Sequence, residues 1–449
     1  MTSNRTVDIT TVIDSAHVSS FQIRTIALCF VLSMVDGFDM QAIAYVAPAM
    51  AADWGVAGPS FGPVFGIGLL GSTIGTVLFG PAGDRFGRKT VLIPSILVFG
   101  TCSILTISAS TMDDLMIYRL ITGIGLGGAL PNIIALASEY APKRRRASLV
   151  TIMFCGFPFG AVVGGIISAR LIPAYGWEAV FILGGGLALV ALPVTWFLMP
   201  ESIRFLAMRQ GMAEKAAAIL RRIDPAGNFS DSDRFVIGEH AMTGATVRLL
   251  FTEKRAFGTL MIWTLFFMSL LLSYFMVNWL PLALQQAGLP LTAAVLATAT
   301  LNAGGIVGCI VFGRVIDKRG PYTIIGTAYL IGAVFVGAIG FAASSAPVVM
   351  AVVFAAGFFA IGAQFCAVAL VTEFYATAIR ATGVGWSMGI GRIGSMIGPV
   401  VGGVLLGAGL GIDMLFLCAA ITPVLAGLAV FAMARSPQNA AASQSAASH

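Results

Sequence analysis

Charge is what this sequence has least of. Asp, Glu, Lys and Arg make up 10% of its 449 residues, against about 25% in a soluble domain. Too few polar groups remain to coat a water-exposed surface of this size. A soluble globular fold is excluded, and the outer surface must face lipid. Histidine is nearly absent too. His17, His240 and His449 all lie outside the apolar runs. No HExxH or clustered ligand set occurs, so no metal, cofactor or enzymatic chemistry is expected. The six cysteines, Cys29, Cys102, Cys155, Cys309, Cys366 and Cys418, fall in separate apolar runs, and none forms CxxC. That leaves them as small packing residues. The first 23 residues carry Arg5, Asp8, Asp14 and His17 but no apolar core, so no cleavable leader is expected.

Long apolar runs are what the sequence does have. A membrane span needs about 20 such residues. Twelve stretches qualify: 25–48, 61–80, 91–110, 115–138, 148–168, 179–199, 256–280, 293–313, 322–341, 348–372, 381–407 and 414–434. Without period-two alternation they read as helices. The expectation is an all-α membrane protein of twelve transmembrane helices in two six-helix bundles. Its parts are an N-terminal segment 1–23, bundles 24–199 and 256–434, a central loop 200–255 and a tail 435–449. Basic residues orient it. Of the 26 Lys and Arg, Arg119 and Arg392 lie inside spans and Arg170 in the short connection after span five. The other 23 fall on one side: both termini, the central loop and the even-to-odd loops. The positive-inside rule makes that side cytoplasmic, in the inner membrane. The basic central loop is read as facing anionic lipid rather than nucleic acid, with Ala213–Arg222 a helix along the membrane surface.

The halves repeat. Gly80, Asp84, Arg85, Gly87 and Arg88 follow span two, and Gly313, Asp317, Lys318 and Gly320 follow span eight, 233 positions on. Glu139 and Arg146 match Glu373 and Arg380, and Gly160 and Gly164 match Gly394 and Gly398, each at a spacing of 234. Duplicated halves with a site at their interface are a design of secondary transporters.

Four ionisable groups sit deep in the spans: Asp36, Asp39, Arg119 and Arg392. Each costs about 2.5–3.5 kcal/mol at a helix centre, so each must pair or line a wet cavity. Asp36 and Asp39, at i and i+3, share one helix face. Two carboxylates so close in a poorly hydrated site do not readily both ionise, which is what a proton-coupling pair needs. Gly37 between them allows close helix approach or local unwinding. Arg119 is followed by Gly123 and Gly127 on one face and is read as partner to an Asp of span one or as a modulator of proton relay, and it is also a candidate for substrate binding, as the rival to Arg392. Arg392 aligns with Pro158 and has no basic twin in the first half, which suits one carboxylate on an asymmetric solute. Structural ion pairing is the bland alternative for all four. Tyr45, Tyr274, Asn278 and Gln364 are further candidates for binding, with Trp279, Asn302, Phe358 and Phe365. Packing is the favoured role for most of them.

Gly80–Lys89 is similar to the loop signature between helices two and three of the major facilitator superfamily. Asp317–Gly320 is similar to its weaker second copy, and Arg119-x3-Gly123-x3-Gly127 to its helix-four signature. Asp36-Gly37-Phe38-Asp39, the run Gln41–Pro48, Pro200-Glu201-Ser202, Asn278-Trp279-Leu-Pro281 and Arg380-Ala-Thr-Gly383 resemble the aromatic acid:proton symporter group. The resemblance implies the major facilitator fold and import of a hydroxybenzoate-like carboxylate with protons by a carrier functional as a monomer. It also makes Gly80, Asp84, Arg85, Gly87, Arg88, Asp317, Glu139, Arg146, Glu373 and Arg380 a gating network. An exporter, an exchanger or a carrier of other organic acids on the same scaffold stays open. Gly83–Thr90 is not a phosphate-binding loop, because its spacing is wrong and no strand precedes it.

Overall fold

The computed structural model describes residues 6–209, 211–225, 227–230, 233–236, 247–252, 255–375 and 377–434. The chain enters through a short strand β1 (Thr6–Asp8) and helix α1 (Ile9–Ser15). The first half then runs through α2 (Ser20–Trp54), α3 (Phe61–Phe86), α4 (Arg88–Leu105), α5 (Met112–Tyr140), α6 (Arg146–Phe154), α7 (Gly156–Tyr175) and α8 (Glu178–Leu198). The connection carries α9 (Ile203–Met208), α10 (Ala213–Ile223) and strand β2 (Arg234–Val236). The second half holds α11 (Ala256–Gln286), α12 (Leu291–Arg319), α13 (Pro321–Ala342), α14 (Ala346–Ala356), α15 (Gly362–Phe374), α16 (Thr377–Gly407) and α17 (Ile412–Ala434). A π turn at Gly357–Ile361 joins α14 to α15 in one span. Among the described residues, twelve helices are long and apolar enough to cross a membrane. Lipid offers the backbone no partners, so each apolar run satisfies its own.

Several helices outrun their apolar stretches. The first starts at Ser20 rather than 25, and the seventh ends at Gln286 rather than 280. Arg170 was expected in a connection; it lies within α7 instead, with its side chain exposed. A basic residue near a helix end can extend its long stem to the interface, so charge does not stop the helix. Two features outside the spans add to the sequence reading. Before the first span, β1 pairs in parallel with β2, Thr6 opposite Arg234 and Asp8 opposite Val236. The helix at 213–222 does form, but protein covers its apolar face. Ala216, Ala217, Leu220 and Ile223 pack in one cluster with Ile9, Ile13, Phe229 and Phe235.

Two compact units form. One comprises Met1–Met40, Ile67–Ala161 and Glu178–Ala241; the other comprises Gln41–Gly66, Val162–Trp177 and Met242–His449. Each is locked by the same device. Where helices cross, a glycine lets the facing backbone come within contact distance of its Cα. In the first unit, a Cβ on Gly160 would collide with the Met34 carbonyl oxygen, and one on Gly75 with that of Ile124. In the second unit, Gly394 stands against the Phe267 carbonyl and Gly308 against that of Phe358. Lipid supplies no hydrophobic force between helices, so such close packing is what holds them. Gly37 serves the same close approach, against the backbone of Phe157, and α2 stays wound through it. Gly87 and Gly320 turn the chain between α3 and α4 and between α12 and α13 with φ of 103° and 77°.

These crossings predict a paired result. Gly160→Val and Gly394→Val should each destabilise by at least about 1–3 kcal/mol, the range for overpacking. Gly186→Ala, where an added Cβ meets nothing within 4 Å, should be neutral or slightly stabilising. Thermal unfolding in detergent reads all three. Unchanged midpoints for the two valines would contradict the packing described.

Candidate functional site

The first unit buries a charged pair surrounded by groups from four helices. Asp39 of α2 is 0% exposed and Arg119 of α5 is 2%. Arg119 Nη1 stands 3.9 Å from Asp39 Oδ2, and Nη2 donates to the Asp39 backbone carbonyl at 3.4 Å. From α4, the Ser103 hydroxyl donates to Asp39 Oδ1. The guanidinium carbon lies 5.9 Å from the centre of the Phe181 ring on α8. The pair is loosely made. Asp39 Oδ2 and Arg119 Nε and Nη1 are buried without a hydrogen-bond partner among the described residues. Asp36, one turn earlier on α2, is 3% exposed. Gly123 and Gly127 continue the Arg119 face and bring α5 onto the backbone of Gly68 and Ser72. Thus Arg119 does partner an Asp of the first span, and that Asp is Asp39.

The remaining binding candidates fall in the second unit. Arg392 is half-buried at the middle of α16 and makes no ion pair among the described residues. Gln364 accepts from Ser273 of α11. Asn278 turns its amide onto the Tyr274 carbonyl of its own helix, at 2.7 Å. Tyr45 is fully buried, and its hydroxyl donates to Gln41 at 3.1 Å. Gln41 and Asn302 exchange two amide hydrogen bonds, at 3.0 and 3.4 Å. Tyr45 therefore braces a polar clasp joining α2 to α12 and presents no surface to a solute in this conformation. Trp279 is fully buried and donates to the Pro399 carbonyl at 2.7 Å, while Phe358 stacks edge-on with Phe312 and Phe359. Both are packing residues here.

The predicted gating residues of the first half come together at the α3–α4 turn. Arg88 pairs with Asp84, reaches Glu139 Oε1 at 3.9 Å and donates to Asn132 at 3.3 Å and to the Gly80 carbonyl at 3.2 Å. Glu139 accepts from Ser202 at 2.5 Å. Glu201, next to it, caps α4: its carboxylate accepts from the Lys89 and Thr90 backbones at 2.9 and 3.3 Å. A Cβ on Gly87 would meet that carboxylate at 2.6 Å, so this position needs glycine for room as well as for its φ. A cleft of about 1040 Å³, lined in part by Asp84, Arg88, Glu139 and Arg204, opens beside the cluster. Arg146, assigned to the same network, reaches Asp14 at 3.9 Å and donates to the Ala141 carbonyl. In the second half Arg380 makes the equivalent bond to the Tyr375 carbonyl, at 3.3 Å, but Glu373 is exposed and forms no ion pair among the described residues. Arg85 is exposed, and its backbone carbonyl accepts from Arg209 at 3.3 Å. The Asp317 side chain lies outside those described. Sequence reasoning missed Ser103, Gln41 and the capping role of Glu201.

A duplicated bundle of spanning helices, with charged groups buried inside it and a charged turn after its second span, defines a membrane carrier. The chain belongs to the major facilitator superfamily, whose model matches residues 29–375 and 311–448, and it is a transporter. It is 40% identical to the gallate transporter of Pseudomonas putida over 95% of each chain. It is 36% identical to the 4-hydroxybenzoate transporter of the same organism, again over 95% of each. It is 34% identical to the 3-(3-hydroxy-phenyl)propionate transporter of Escherichia coli, over 92% of this chain and 94% of that one. The solved D-xylose-proton symporter has the same fold, with a TM-score of 0.70 at 19% identity over 92% of this chain and 98% of that one.

Removing one partner of the buried pair leaves the other uncompensated, which costs about 3–5 kcal/mol. Asp39→Asn and Arg119→Gln should each lower the unfolding midpoint, and the double variant should recover most of the loss. A double-mutant cycle on detergent-solubilised protein measures the coupling. Additive losses would contradict a direct pair.

Proposed function

We propose that the protein imports a hydroxybenzoate-like aromatic carboxylate together with protons, by alternating access. The observation that carries this is the contrast between two deep arginines. Arg119 has its counter-charge in Asp39, whereas Arg392 has none among the described residues. A guanidinium stays charged wherever it sits, so a solute carboxylate is the natural partner for Arg392. The aromatic acids named for the relatives supply the class of solute. Tyr274, Asn278 and Gln364, in the same unit as Arg392, supply polar and aromatic groups suited to a hydroxylated ring.

Asp39 and Asp36 are the proton carriers in this reading. A loosely made pair suits the task, because Asp39 can take a proton without breaking a full set of hydrogen bonds. The cluster around Asp84, Arg88, Glu139 and Ser202 is the gate. It ties α3, α4 and α5 to the connection after α8, and it must open for the helices to move. The side with both termini is cytoplasmic, the membrane is the inner one, residues 24–199 and 256–434 are the moving halves, and the monomer is the working unit.

Uptake of labelled 4-hydroxybenzoate and gallate into cells tests the proposal. Accumulation should collapse with a protonophore, and uptake indifferent to protonophore and external pH would sink it. Arg392→Ala should abolish binding of the acid. Arg392→Lys should weaken it by about tenfold or more, because the charge remains but the two-pronged geometry is lost. If Arg119→Ala alone loses the acid, the anchor has been assigned to the wrong arginine. Asp84→Asn should slow transport strongly while binding stays measurable.

A further inference from the structure

Ser103 lies on α4, a helix that contributes no charge to the buried cluster. It is 0% exposed. A hydroxyl inside a helix usually turns back to the carbonyl four residues earlier. Its neighbours do so: Ser95 bonds to Val91 at 2.8 Å and Thr106 to Cys102 at 2.9 Å. Ser103 does not, and gives its single donor to Asp39 Oδ1 across the helix contact. Gly184 of α8 closes the same side, where an added Cβ would stand 3.3 Å from Oδ1. The other oxygen is different. Oδ2 accepts no hydrogen bond among the described residues and faces Arg119 at 3.9 Å.

We infer that Ser103 is a positioning residue for proton coupling: it holds Oδ1 of Asp39 so that the proton is taken and released at Oδ2. This rests on the proton-coupled reading above. The step is a plain transfer in which the Oδ2 lone pair accepts a proton on one side of the membrane and gives it up on the other. Ser103 stays bonded to Oδ1 throughout, and Arg119 keeps its charge. Among the described residues, α5 presents Arg119 to Asp39, α4 presents Ser103, and α8 presents Gly184, which does not titrate. On its own helix, Asp36 lies one turn away. A donor to the ionised form favours that form. Losing that donor should therefore show in the alkaline limb of the uptake profile.

The test is the pH profile of initial uptake in membrane vesicles, using gallate or 4-hydroxybenzoate, whichever the wild type accumulates. Ser103→Ala should move the alkaline midpoint upward by about one pH unit, the size expected for a hydrogen bond to a charged group. Ser103→Thr keeps the hydroxyl and should retain the wild-type midpoint. Ser103→Cys keeps the volume with a much weaker donor and should shift as Ala does, which also serves if the alanine variant fails to reach the membrane. An unmoved midpoint in both Ala and Cys, whatever happens to the rate, overturns the assignment. So does a threonine variant that shifts as far as alanine. Protonophore treatment of the wild type separates the two ideas. Insensitivity there overturns proton coupling and this role with it, whereas a coupled wild type with an unshifted Ser103→Ala overturns Ser103 alone.

Discussion

A carboxylate and a guanidinium placed together in an apolar interior set the terms for the rest of this molecule. Neither Asp39 nor Arg119 reaches the surface, and an uncompensated charge at that depth costs several kcal/mol. Each helix near the pair therefore has a task. α5 supplies the cation and uses Gly123 and Gly127 to press onto α3. α4 supplies a hydroxyl, and α8 supplies an aromatic face and a glycine that leaves room for the carboxylate. Membrane helices cannot rely on the hydrophobic effect to meet. The glycine crossings bring backbones close enough for single side chains to reach across.

The same crossings recur in the second unit with different side chains between them. Gly394 lies against Phe267 as Gly160 lies against Met34, and Arg380 bonds the Tyr375 carbonyl as Arg146 bonds that of Ala141. The duplicated scaffold has thus been kept while its polar contents diverged. Pro158 stands where the second half has Arg392. The two halves thus share their glycine crossings but not the charged groups set between them.

Much of this was legible before the structure. Twelve apolar runs read as twelve helices because a hydrophobic run of that length has one outcome in lipid. The repeat and the deep charges were equally plain, because a charged residue stands out against an apolar background. What was illegible has a common cause. Ser103 is one hydroxyl among several in apolar helices, and only the third dimension separates it from Ser95. The pairing of Thr6–Asp8 with Arg234–Val236 joins distant short segments that carry no strand pattern. Arg170 reads as a span end because it is charged, yet α7 continues through it to Tyr175. Ala213–Arg222 was recognisable as a helix, but its pattern could not say whether protein or lipid covers the apolar face.

The central claim is that solute binding and protonation of this cluster are linked, and calorimetry tests it most directly. Binding of 4-hydroxybenzoate or gallate to the purified carrier would be titrated in buffers of different ionisation enthalpy near neutral pH. The slope of observed heat against buffer enthalpy counts the protons exchanged. A non-zero slope in the wild type that vanishes in Asp39→Asn is the predicted result. A wild type that binds the acid with zero slope across the neutral range would contradict it.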